Sequence, residues 1–113
     1  MGKQLKILAV DDDFINLKLI SSMLRKNPHV GVIIEATNGL DAINLLKMQG
    51  DIDLVLLDIK MPVMDGIEAT SRIRELPGGH EVKIVAVTAS AFMEQRAQLL
   101  EAGMDEYVCK PSK

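Results

Sequence analysis

Four apolar runs in this chain end on residues that could do chemistry together. Lys6 to Val10 (KILAV) leads into Asp11, Asp12 and Asp13, and Leu54 to Leu57 (LVLL) leads into Asp58. Val82 to Val87 (VKIVAV) ends at Thr88, and Glu106 to Cys109 (EYVC) delivers Lys110. If these runs are strands of one parallel sheet, their carboxyl ends share one edge, and residues distant in sequence converge there. Asp11, Asp12 and Asp58 would then repel one another strongly, which is tolerable only with a cation among them or with shifted protonation. Oxygen-only donors with room for water suit a hard octahedral ion, for which Mg²⁺ is the common intracellular candidate. Lys110 offsets one charge. A metal, a lysine and the Thr88 hydroxyl are also the groups that neutralise and position a phosphoryl group, where catalysis is mostly geometry and electrostatics.

Taken singly, each residue has a plainer use. Asp58 could cap a strand or a following helix, and the commonest use of Asp11 to Asp13 is to cap the first helix, which is the reading for Asp13. Thr88 could be an ordinary β-branched strand residue and Tyr107 a half-buried strand aromatic. Four strand ends carrying complementary groups make the plain readings improbable as a set.

The elements that must hold these residues alternate along the chain. Strand one is Lys6 to Val10. Phe14 to Lys26 has Ile15, Leu17, Ile20, Met23 and Leu24 close to a helical stripe, stopped by Asn27-Pro28. Val30 to Ala36 reads as a strand, Thr37-Asn38-Gly39 as a turn and Leu40 to Met48 as a helix with Ile43 and Leu46 inward. Leu54 to Leu57 has no alternation and reads as a central strand buried on both faces, with Asp58 presented at its end rather than packed. A third helix follows from about Asp65 to Glu75, then a strand over Val82 to Val87, a weaker helix over Ala91 to Ala102 with Gly103 as its cap, and a strand over Glu106 to Cys109. Strand-helix alternation at this spacing predicts an α/β fold, a single five-stranded parallel sheet with helices on both faces. No final helix follows the fifth strand, since only Ser112 and Lys113 come after Lys110-Pro111. One domain over residues 1–113 is expected, without the last helix. That implies either a shortened chain or another element over that face.

Composition narrows the function classes. A formal net charge of -3 over 113 residues offers no basic stripe for nucleic acid or anionic membrane. The apolar runs are too short to span a bilayer and the amino terminus lacks signal-peptide order, so a cytoplasmic protein is expected. The single Cys109 cannot form an internal disulfide, in keeping with a reducing compartment, and reads as an inert core thiol. His29 and His80 lie in loops and do not resemble helix-borne phosphodonors.

From ILAVDDD through LVLLDIKMPVMDG and VAVTASA to AGMDEYVCKP, the chain closely resembles a response-regulator receiver domain of two-component signalling. The resemblance implies a flavodoxin-like sheet of order 2-1-3-4-5. It makes Asp58 the phospho-acceptor, taking its phosphoryl group from a phosphohistidine on a histidine kinase or histidine phosphotransfer domain. It implies Mg²⁺ held by Asp12 directly, by Asp11 largely through water, by Asp58 and by the main-chain carbonyl of Lys60. Lys110 and Thr88 would bind phosphoryl oxygens, Tyr107 would be the rotamer switch altering the surface of helix four and strand five, and Pro111 would follow a cis peptide. Lys60 and Ser90 would flank an attacking water and tune phosphate lifetime. The implied protein is a phosphorelay switch that catalyses its own phosphorylation and slow dephosphorylation rather than an enzyme, and a phosphorylation-dependent dimer is compatible with it. The stretches VDDDFINLKL and TASAFMEQRAQLLEAGMDEYVCKP are similar to receivers fused to hybrid sensor kinases. A rival is an aspartyl-phosphate hydrolase of haloacid dehalogenase type, since Asp11 and Asp13 have its Asp-x-Asp spacing. Against it stand Phe14 and Ile15, which do not supply that family's usual context, and a chain too short for its cap. A flavin-binding module is weaker still, because three carboxylates occupy the place of a phosphate-binding loop.

Overall fold

The computed structural model describes residues 4–58, 66–79, 81–88, 97 and 99–109, with Thr88 and Cys109 described through the backbone only. β-branched and aliphatic runs form five strands: β1 Leu5–Val10, β2 Val30–Ala36, β3 Leu54–Asp58, β4 Lys83–Thr88 and β5 Glu106–Cys109. All neighbours pair in parallel in the order β2-β1-β3-β4-β5, so the sheet order expected from the resemblance is observed. The helices are α1 Phe14–Arg25, α2 Gly39–Met48 and α3 Gly66–Arg74; residues 97 and 99–101 are also helical, within the span expected for a fourth helix. No described helix is long and apolar enough to cross a membrane.

Alternation along the strands sorts the core into two layers. Leu8 and Val10 of β1, Val55 and Leu57 of β3, and Ile84 and Ala86 of β4 meet Ala42 and Ile43 of α2 and Ala69 and Ile73 of α3. Their neighbours Ala9, Leu56 and Val87 point the other way, against Leu17, Ile20 and Leu24 of α1. Helices thus cover both faces, but unequally. Leu54 and Leu56 are only half-buried, so β3 is not the strand buried throughout that its unbroken apolar run predicted.

The inward face of α1 also differs from expectation. Leu17, Ile20 and Ser21 are buried, whereas Ile15 and Met23 are exposed. Helical spacing allows either rotation, and the choice here places Ser21 where its hydroxyl donates to Glu35 Oε2 of β2 at 2.6 Å. Local chemistry sets the helix starts. Asp13 caps α1, its Oδ1 accepting the N–H groups of Ile15 at 2.9 Å and Asn16 at 3.4 Å, and Asn38 caps α2 by accepting from the Asp41 N–H at 2.8 Å.

One polar clamp fastens the amino end of β4 to the segment before β5. Arg74, at the end of α3, donates to the carbonyls of Gly79 (2.7 Å), Val82 (2.7 Å) and Gly103 (2.6 Å from Nη2), and to Asp105 Oδ2 at 2.9 Å. Asp105 Oδ2 in turn accepts the Ile84 N–H at 2.9 Å. Gly103 has φ +111, a conformation that side-chain-bearing residues rarely adopt, and a Cβ there would lie 3.1 Å from Arg74 Cγ. Its expected role at the end of a helix is therefore joined by a second one, close approach to the arginine.

Candidate functional site

β1 and β3 are adjacent and in register, with Val10 opposite Leu57, so the residues that follow each of these positions emerge side by side at the carboxyl edge. Those residues are Asp11 and Asp58. The Asp11 N–H donates to the Ala36 carbonyl at 3.1 Å, extending the β1–β2 ladder by one rung, and Asp11 Oδ1 accepts the Asp13 N–H at 2.9 Å. Asp12 lies between them in sequence and is exposed. One carboxylate oxygen from each of Asp11, Asp12 and Asp58 lies within 4.8 Å of the others.

Burial divides this cluster. Asp11 is 0% exposed and Asp58 2%, so the expectation that Asp58 is presented rather than packed is corrected: β1 and β4, its neighbours in the sheet, enclose it. Two carboxylates in a weakly screened place and one facing solvent make a donor set of hard oxygens with an open side. That suits a small divalent cation retaining waters better than zinc or copper, which favour nitrogen and sulfur. The cluster thus fits Mg²⁺ by donor chemistry and spacing.

The other expected site residues are placed less fully. The Thr88 backbone ends β4 opposite Cys109; the side chains of both lie outside the described residues. Tyr107 pairs with Ala86, is half-buried and packs against the larger core layer. Lys60, His80, Ser90, Lys110 and Pro111 lie outside the described residues, so the lysine carbonyl, the phosphoryl-binding lysine and the cis peptide do too. His29 is exposed in a turn, as expected.

The response regulator receiver domain family matches residues 7–113. This chain belongs to that family. The receiver is 42% identical to the Escherichia coli K12 signal transduction histidine-protein kinase BarA across 93% of this chain and 11% of BarA. It is 37% identical to hybrid signal transduction histidine kinase B of Dictyostelium discoideum across 96% of this chain and 6% of that protein. The chain therefore spans a small part of the curated relatives it matches first. Among solved structures it superposes on the receiver domain of the sensor histidine kinase PA1611 of Pseudomonas aeruginosa, crystallised with a magnesium ion coordinated in the active-site cleft. The TM-score is 0.84, with 35% identity and coverage of 97% of this chain and 88% of that one. It also matches a co-crystal structure of the Saccharomyces cerevisiae histidine phosphotransfer signalling protein Ypd1 with the receiver domain of its downstream response regulator Ssk1, at TM-score 0.84 and 31% identity, covering 100% and 83%.

The hydrolase alternative finds no support. It needs Asp13 as an acid or base beside Asp11, but Asp13 Oδ1 is engaged by the Ile15 and Asn16 N–H groups, and the metal-spaced cluster is made by Asp11, Asp12 and Asp58 instead.

A feature beside the site was missed from sequence. Glu35 of β2 accepts from Ser21 at 2.6 Å and from Lys18 Nζ at 3.4 Å. The Ser21 hydrogen bond, aided by Lys18 and Arg25 against partial burial, holds its carboxyl below the usual glutamate range. Glu35 thereby ties α1, whose cap follows the acid cluster, to the edge of the sheet. Only the small polar Ser21 within the helical stripe hinted at it.

Proposed function

We propose that this receiver accepts a phosphoryl group on Asp58 from a phosphohistidine of a histidine kinase or histidine phosphotransfer protein. The observation that supports it is the approach of Asp11, Asp12 and Asp58 to within 4.8 Å at the carboxyl edge of the sheet. A carboxylate oxygen of Asp58 attacks phosphorus, the new O–P bond forms as the P–N bond to the imidazole breaks, and the imidazole nitrogen keeps the electron pair and takes a proton. Mg²⁺, when bound, neutralises charge building on the phosphoryl oxygens. Asp12 would hold it directly and Asp11 largely through water, with Asp58 and the main-chain carbonyl of Lys60 as the remaining protein donors. Lys110 and Thr88 receive the phosphoryl oxygens, positioning them for in-line displacement.

The product stays attached to the protein, so the domain is a switch rather than an enzyme acting on a released substrate. Its own groups catalyse phosphorylation and slow dephosphorylation. Tyr107 couples the phosphoryl state to the surface near β5 by a shift between two populations. A Mg²⁺-dependent switch whose single Cys109 has no second cysteine within this sequence to pair with suits a reducing cytoplasm, and a dimer formed on phosphorylation is one route for its output.

Phosphoramidate, a small donor, should label the wild-type chain only with Mg²⁺, and mass spectrometry should place the label on Asp58. Labelling that persists in Asp58→Asn at the wild-type level would sink the assignment. Tyr107 fluorescence should change on adding beryllofluoride with Mg²⁺; an unaltered signal would remove Tyr107 from the switch.

A further inference from the structure

The amino edge of the sheet, opposite the acid cluster, is not closed over. A cleft of about 590 Å³ opens there between the end of α2, the starts of β1 and β3, and the loop joining α3 to β4. That volume is within the range that holds a small molecule. Its floor is apolar: Ile52, Ile73 and Val82 are buried, and Leu46 and Leu76 are half-buried. Two glycines leave the walls bare. A Cβ added at Gly50 or Gly78 would meet no described atom within 4 Å, so nothing described in this chain fills the space beside them.

The rim decides what can enter. Of the residues that line the cleft, Asp51, Asp53 and Glu81 carry carboxylates and Lys6 carries the one ammonium. Lys6 is already engaged: its Nζ lies 2.8 Å from Asp51 Oδ1, and its backbone N–H donates to Asp53 Oδ2 at 2.9 Å. Glu81 comes from the neighbouring strand entry, since Leu54 lies opposite Lys83 and the residues just before β3 and β4 run side by side. Both Asp51 and Glu81 are exposed. Arg74 stands behind the wall, donating to the Gly79 and Val82 carbonyls, and Asp105 offsets its charge at 2.9 Å. The rim is therefore negative above a floor of low polarity, which focuses its field into the cleft. An anion is repelled there, and a neutral apolar body leaves the carboxylates unmatched. A cation carried on an apolar body satisfies both surfaces.

We propose that this cleft binds a small organic cation, an amidinium, guanidinium or ammonium group borne on an apolar ring or stem. The charged group meets Asp51 and Glu81 at the rim, and the apolar body covers Leu46, Leu76 and the floor between them. The site is separate from the acid cluster and does not depend on the role of Asp58.

The test uses the full chain, with Mg²⁺ present to compete at the acid cluster, and three small probes. Benzamidine carries an amidinium on a ring, benzamide has the ring without the charge, and acetamidine has the charge without the ring. In ¹⁵N–¹H correlation spectra, benzamidine should shift the amides of Gly50, Asp51, Ile52, Gly78 and Glu81 along saturable curves. Each of the other two probes should bind about threefold more weakly or worse, the loss of a surface charge contact or of an apolar one. Glu81→Gln, at an exposed position, should weaken benzamidine by about threefold while the rest of its spectrum matches wild type. Shifts centred on Asp11 and Asp12 would assign the cation to the acid cluster and overturn the cleft. Benzamide binding as tightly as benzamidine, or Glu81→Gln binding as tightly as wild type, would show that the acidic rim selects nothing. Acetamidine matching benzamidine would reduce the cleft to a charged surface without a pocket, and shifts that never saturate would overturn the site altogether.

Discussion

Asp11, Asp12 and Asp13 stand in a row, yet their surroundings give them separate work. Asp11 continues the β1–β2 ladder and is wholly buried, Asp12 faces solvent, and Asp13 turns back to cap α1. A cap contributes by satisfying N–H groups at a helix start, so Asp13→Ala should cost about 1 kcal/mol in urea unfolding. Phosphoramidate labelling of Asp58 should survive that change in a folded sample, whereas Asp12→Ala should suppress Mg²⁺-dependent labelling with little loss of stability. An Asp13→Ala chain that folds normally but cannot be labelled would place Asp13 in the site and count against the division of roles. The acidic triplet was visible in the sequence and so was the capping use of Asp13. The burial of Asp58 was not, because it depends on β1 and β4 flanking β3, which are contributed by distant parts of the chain.

Elements are held by contacts that sequence patterns report unevenly. The five strands were legible because short apolar runs alternate with segments of helical spacing, separated by turn residues, which is the pattern of βαβ units. The rotation of α1 was not: Ile15, Leu17, Ile20, Met23 and Leu24 are all apolar, and only the packed helix shows that Leu17, Ile20 and Leu24 face the sheet while Ile15 and Met23 do not. The Arg74 clamp was also hidden, since three of its acceptors are backbone carbonyls brought together by folding. Arg74→Met keeps most of the side-chain length but removes every donor, and should cost about 2–4 kcal/mol, as expected when buried carbonyls lose charged partners. Asp105, on the same clamp, carries a pH signature. Burial alone would raise its pKa, but the Ile84 N–H and Arg74 together outweigh that and hold it below the usual aspartate value. A carboxyl lowered in the folded state adds stability above its unfolded pKa, and the contribution is lost as pH falls through the lower folded value. Wild type should therefore exceed Asp105→Asn in unfolding free energy at pH 7, with the gap closing as the buffer is taken below about pH 4. A gap that stays constant down to pH 3 would show that the charge on Asp105 contributes nothing.

On the scale of the whole molecule, the acid cluster sets stability against function. Three carboxylate oxygens lie within 4.8 Å, two of them on residues almost completely buried. At an effective dielectric near 20, each such pair repels by about 3 kcal/mol before neighbouring cations and solvent at Asp12 reduce it. The fold tolerates this because the sheet edge is over-determined from below: β1, β3 and β4 continue into a core of Leu8, Val55, Leu57, Ile84 and Ala86. Asp58→Asn removes one charge while keeping side-chain volume, so in metal-free buffer the variant should be more stable than wild type by about 1–2 kcal/mol, a rise in Tm of roughly 5–10 °C for a domain of this size. Mg²⁺ should reverse the order of benefit. A ligand held only by the folded state stabilises by mass action, about 1.4 kcal/mol at ten times its Kd, so Mg²⁺ should raise the wild-type Tm and leave Asp58→Asn nearly unchanged. Calorimetry of both chains with and without Mg²⁺ decides it. If Asp58→Asn melts below wild type without metal, repulsion is not what the cluster stores. If both chains gain equally from Mg²⁺, the ion binds elsewhere and Asp58 is not among its donors.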